Sequence, residues 1–200
     1  MAKPARQRAA EQPELGARPV LQARVAAAIL EAAATTLARG GDHVNLADVA
    51  AAAGVARATV YRYFPNRGLL LDELARVTLA SADERLTAAR IGDVSVEEGL
   101  SRAVRVLVDL GDAFVVLVRE RSSMRADDFE RCVVAPLRRL LDGGRSSGQI
   151  RADIPAALLA EALLGTVAAV QVYGSLGRDD TVAAVARLFL EGAGTEARNH

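Results

Sequence analysis

Between residues 45 and 67 the chain sets two short helical stretches around one glycine, Gly54, and stops the second with Pro65. That pattern leaves little choice of local fold. A glycine supplies the positive φ that a tight helix-to-helix turn needs, and proline cannot continue a helix. Asn45 stands where an N-cap belongs, with Asp48 in the first turn, where the helix dipole favours an acid. Val49, Ala50 and Ala53 form the inward face of the first helix, and Val55 and Val60 fill the angle between the two. The second helix then carries Arg57, Ala58, Thr59, Tyr61, Arg62 and Tyr63, with Arg67 close behind. This is a dense set of hydrogen-bond donors on a small rigid element.

The remaining chain reads as helix after helix. Helical spacing of apolar residues predicts helices over 21–39, 67–90, 96–110, 127–142 and about 155–173, with a last one opened by Asp179 or Asp180. Gly40-Gly41 and Gly143-Gly144 are the expected stops. Ser95 with Glu98 has the form of a capping box. Residues 112–122, with Phe114 and three valines, are apolar on every side, so the run is a strand or a buried helix by composition. With no partner strand in sight, the buried helix is the better reading. The expectation is an all-α chain of about nine helices. Residues 1–20, with Pro4, Pro13 and Pro19 and little apolar content, read as a disordered tail, or as a basic arm. A first helical domain then spans 21–68 and a second 69–200.

Charge is distributed unevenly on a chain with no net charge. Residues 1–67 hold nine Lys/Arg against five Asp/Glu, and the rest hold sixteen against twenty. An anionic partner therefore suits the front of the molecule. As a helix-turn-helix, the second helix enters a DNA major groove N-terminus first. Arg57 and Thr59 then lie near base edges, and Asn45, Tyr61, Tyr63 and Arg67 near phosphates. The alternative is a solvated alanine-rich hairpin whose tyrosines pack.

Other chemistries fare poorly. Gly144-Arg-Ser-Ser-Gly148 has nucleophile-elbow spacing, but a helical, charged segment precedes it. His43 and His200 are the only histidines, and neither is a natural partner for it. No catalytic constellation is found, so no enzyme, and no metal or other cofactor, is expected. Cys132, the one cysteine, falls on a helix stripe and reads as a small core residue rather than a redox sensor. Its solitude, with no apolar leader, points to a cytoplasmic setting. Residues 154–176 are long and apolar enough for a membrane span, but basic flanks and an aromatic belt are missing, so a buried helix and no membrane are expected.

Residues 24–74 resemble the DNA-binding domain of the TetR (tetracycline repressor) family of transcriptional regulators. The carrying residues are Ile29, Ala32, Ala33 and Gly40-Gly41, then Leu46, Val49-Ala50 and Ala53-Gly54-Val55. Thr59-Val60-Tyr61, Tyr63-Phe64, Asn66-Arg67 and Leu69-Leu70 complete the match. The family often has Thr where Asn45 stands, and a basic residue near Ala26–Ala28 that is absent here. The resemblance implies a homodimer on double-stranded DNA, built as a four-helix contact of the last two helices, with Leu163, Thr166, Val167, Val170, Val182, Val185 and Phe189 as candidates. It also implies a pocket for a small apolar effector. The candidates are Leu107, Phe114, Val118, Met124, Phe129 and Val170, with polar contacts from Arg119 or Gln171. Few aromatics are available for a flat multidrug site. The open alternatives are an activator, a ligand-independent regulator, and a helical protein-interaction module without DNA binding.

Overall fold

The computed structural model describes residues 14–120 and 125–194, with side chains from residue 20 onward. Among these residues nine helices follow one another and no strand forms. They are α1 (Glu14–Gly40), α2 (Leu46–Ala52), α3 (Arg57–Tyr63), α4 (Arg67–Ala88), α5 (Val96–Asp109) and α6 (Asp112–Glu120). Then come α7, which runs from Ala126 to Ser146 through a π-turn at Glu130–Val134, α8 (Ala156–Tyr173) and α9 (Arg178–Ala193).

The short-range signals fall where the chemistry puts them. Asn45 Oδ1 accepts from Ala47 N and Asp48 N, and Asp48 Oδ2 accepts from Asn45 N at 2.9 Å, a reciprocal capping box. Gly54 carries the α2–α3 turn at φ +66°, with open space where a Cβ would stand. Gly54→Ala thus meets no clash and feels only the backbone penalty of about 1–2 kcal/mol for a left-handed L-residue. Chemical denaturation is expected to show a loss of that size, and an unchanged midpoint would mean the turn does not need glycine. Asn66 caps α4 through Leu69 N at 2.9 Å.

Several boundaries differ from expectation. Helical backbone begins at Glu14 rather than residue 21, and residues 1–13 lie outside the described residues. Helix α7 passes through Gly143-Gly144 because Gly144 is buried where α7 meets Val96 and Ile150, and a Cβ there would stand 2.6 Å from Ile150 Cγ1. Ser95 caps Glu98 N, but the Glu98 carboxylate pairs with Arg102 at 2.8 Å, so half of the expected box forms. The N-cap of α9 is Gly177; Asp179 sits in the first turn and pairs with Arg105 at 2.7 Å.

Helix α6 is the hub. Its Phe114, Val115, Val116 and Leu117 are all buried, and it packs on α1, α4 and α8. An apolar run between neighbours on several sides has no exposed face to make polar, which is why its composition is uniform. Helix α4 spans both halves of the molecule, touching α1 near one end and α5, α6 and the π-turn of α7 along the rest. Helices α5, α7, α8 and α9 complete the C-terminal bundle, with α9 on α5 and α8 against α6 and α7. By length and composition, α8 and Val20–His43 are both apolar enough to cross a membrane. Each also buries residues in the core, among them Leu163, Leu164 and Val167 in α8 and Ile29, Ala33 and Leu37 in α1.

Candidate nucleic-acid interface

Helix α3 is anchored by one side. Val60 is fully buried and Phe64, one turn later, nearly so. On a helix with 3.6 residues per turn, anchoring by Val60 turns Ala58 and Arg62 outward, flanked by Tyr61 and Arg57. All four are exposed, with Tyr61 half open to solvent. Asn45 is exposed beside them at the start of α2. Its amide oxygen is committed to the cap, so the amide NH2 is the part that can donate to a phosphate. Thr59 is half-buried, at the margin of the outward face. Tyr63 is also half-buried, its ring 5.3 Å below the Arg62 guanidinium and 6.4 Å from the Phe64 ring. Tyr63 therefore works as a platform that stiffens Arg62.

Arg67 departs from the expected phosphate clamp. Its Nη2 lies 3.2 Å from Glu120 Oε1 and 3.5 Å from Asp42 Oδ1, and its Nε is buried with no hydrogen-bond partner. The guanidinium is drawn inward between α4 and α6. A partner 53 positions away leaves no trace in local spacing. Sequence reasoning also passed over the start of α4, where Asn66 and Gly68 are exposed. The N-terminus of a 22-residue helix attracts anions through its unpaired N–H groups. The Pro65-Asn66 pair was the signal for it.

The C-terminal candidates come from α5, α6, α7 and α8. Leu107, Phe114 and Phe129 are buried core residues. Val118, Val170 and Gln171 are half-buried, and Gln171 Nε2 is a buried donor without a partner. Arg119 donates to Leu37 O at 2.9 Å and Ala38 O at 3.0 Å, contacts with α1 rather than with the other candidates. Met124 lies outside the described residues. A cleft of about 700 Å³ opens elsewhere, between the end of α4, the turn that follows and α7, lined by Asp83, Arg90, Asp93, Arg131, Arg139 and Gln149 among others. Its lining mixes these polar groups with apolar ones such as Leu86, Ile91 and Leu140, and none of the expected pocket residues lines it.

The dimer candidates need a similar correction. Leu163, Val167, Val182, Val185 and Phe189 are buried inside this chain, so they are already covered without a partner. Thr166 and Val170 are half-buried. The outward stripe of α8 is Leu158, Ala162, Gly165, Ala169 and Tyr173, and α9 exposes Ala184 and Leu188.

Ser146, the serine of the elbow-like spacing, lies in the last turn of α7 and donates to Asp142 O at 2.9 Å, a helical geometry without the strand-to-helix bend an elbow needs. Cys132 is buried in the π-turn, where desolvation and then the Asp83 charge push its thiol above the ordinary range. That environment opposes thiolate chemistry.

Residues 29–74 match the model of bacterial regulatory proteins of the tetR family. Over 106 residues the chain is 41% identical to the HTH-type transcriptional repressor LfrR of Mycolicibacterium smegmatis, a match covering 52% of this chain and 54% of that one. It thus spans about half the length of that curated relative. The solved structure of the TetR-like regulator LfrR from Mycobacterium smegmatis in complex with proflavine extends the likeness: 30% identity, TM-score 0.67, 88% of this chain and 99% of that one. The chain belongs to the TetR family of transcriptional regulators. AibR, solved with isovaleryl coenzyme A and operator DNA, shares the fold at 21% identity and TM-score 0.64, over 82% of this chain and 97% of its own. The matched residues 29–74 include α2 and α3, the helix-turn-helix of this TetR-family chain.

Proposed function

We propose that this protein is a repressor that binds a two-fold symmetric DNA operator as a homodimer in the cytoplasm and is released by a small apolar effector. The observation that supports it best is the outward face of α3, where Arg57, Ala58, Tyr61 and Arg62 stand exposed opposite buried Val60. Entering the groove N-terminus first, the helix offers Arg57 to a guanine edge, Ala58 to a thymine methyl, and Tyr61 and Arg62 to the flanking backbone. The Asn45 amide and the first N–H groups of α4 would fix register on the phosphates.

The α8 stripe and Leu188 of α9 suit a second copy of the chain. Gly165, Ala162 and Ala169 are exposed and small, so two such helices can approach closely, with Leu158 and Tyr173 at either end. LfrR, the relative of full-length likeness, is named a repressor and was solved with a small molecule bound. An effector among α6 and α8 would find in Gln171 a donor with no partner of its own. It acts only if it binds the non-matching conformer more tightly than the DNA-bound one.

Selection from a random duplex pool tests this reading. A palindrome with half-sites about 34 Å apart is expected, and no enrichment would favour a helical interaction module instead. On the selected site, Arg57→Ala should cost about 1–3 kcal/mol and relax preference at one base position per half-site. A uniform loss across sequences would reassign Arg57 to the backbone.

A further inference from the structure

Helix α6 ends on two adjacent charged residues, and each ties it to a different helix of the DNA-binding unit. Arg119 places both guanidinium Nη groups on the last turn of α1, at Leu37 O and Ala38 O. Those carbonyls lie at a helix C-terminus, where partial negative charge favours a cation. Glu120 receives Arg67, the first residue of α4. The Glu120 side chain is 12% exposed and the Arg67 side chain 33%, whereas Asp42, the other acid near Arg67, is 88% exposed. The inner pair is therefore the less screened one. Helices α1 and α4 flank α2 and α3 in the chain and pack against α6.

We infer that Arg119 and Glu120 are positioning residues for DNA binding: they clamp α1 and α4 to α6, and Arg67 is the strut of that clamp rather than a contact to the DNA backbone. The inference rests on the DNA-binding reading above. In this geometry Arg67 Nη2 faces Glu120 and Nε is buried, so two of the three guanidinium nitrogens are turned away from a phosphate. The clamp sets the angle at which the two reading helices of a dimer leave their bundles. Half-site spacing then depends on a charge pair with no atom on the DNA.

A charge swap on the full chain separates strut from phosphate contact. Arg67→Glu and Glu120→Arg are each expected to weaken binding to the selected duplex at least about tenfold, since one buried like-charge contact can cost that much. The double swap should return it to within about threefold of the parent, allowing for imperfect geometry. Arg67→Gln should leave the salt dependence of binding unchanged, whereas loss of one phosphate contact would lower its slope by about 0.9. A DNA-free arm guards against misfolding. In urea, the losses from Arg67→Gln and Glu120→Gln should be non-additive. Additive losses, an unrescued double swap or a reduced salt slope would each overturn the strut. If the parent itself enriches no duplex, the DNA-binding reading has failed and the positioning role goes with it. If the parent binds and only the variants misbehave, the failure belongs to the strut alone.

Discussion

Leu158→Glu combined with Leu188→Glu is expected to yield a folded monomer whose affinity for the operator is lower by about 100- to 10,000-fold, the range in which linking two sites raises avidity. Both side chains lie in the open on the single chain, at 59% and 62% exposure, and Tyr173 and Leu176 are exposed as well. Helix α8 has a mean hydropathy of 1.6 over its length, yet only 39% of it is buried. Contiguous exposed apolar side chains mark an interaction site, and a second copy is the proposed occupant. Exposed positions tolerate substitution within about 0.5 kcal/mol in the monomer, so the carboxylates act at the contact between copies, where they would be desolvated without a partner. Analytical ultracentrifugation reads the mass, circular dichroism the fold, and a mobility shift the affinity. A variant that still sediments as a dimer would remove α8 and α9 from the contact.

Phe114→Ala carries the largest expected cost in stability, about 3–5 kcal/mol for a large buried aromatic. The ring is fully buried at the start of α6, the helix that touches α1, α4 and α8 at once. A loss of that size removes much of the roughly 5–15 kcal/mol that holds a typical domain. Phe114→Leu keeps most of the volume and should cost less than about 1.5 kcal/mol if the core repacks. Urea midpoints at unchanged slope give both numbers. A drop below about 1 kcal/mol for the alanine variant would show that the site collapses, and that α6 is less of a keystone than its neighbours suggest.

What could be read from the chain alone was local. The Asn45 N-cap, the Gly54 turn and the Pro65 stop each depend on groups a few residues apart and stand as expected, and the reciprocal bond from Asp48 adds a capping box to the first of them. Val60 reads as a buried plug and is one, but the face opposite it is centred on Ala58 and Arg62, with the expected Thr59 only at its margin. Long-range facts left no such mark. Spacing places Arg67 beside the helix-turn-helix, and its ion pair with Glu120, far along the chain, leaves no local trace. In α8 the inner residues Leu163 and Val167 and the outer Leu158 and Ala162 are alike in polarity, so no contrast told core from contact surface. Gly144 looked like a helix stop, yet tight packing, not backbone freedom, is its reason for being there.

The π-turn at Glu130–Val134 has a mechanical consequence. One surplus residue in a helical turn rotates everything downstream by about 100°. The turn itself lies against α4, while the segment after it faces α5 and α8. One continuous helix thus serves two sets of neighbours. In such a rod a one-residue deletion is not a simple loss: it would straighten the ladder and swing Leu137, Leu140 and Leu141 off their mates.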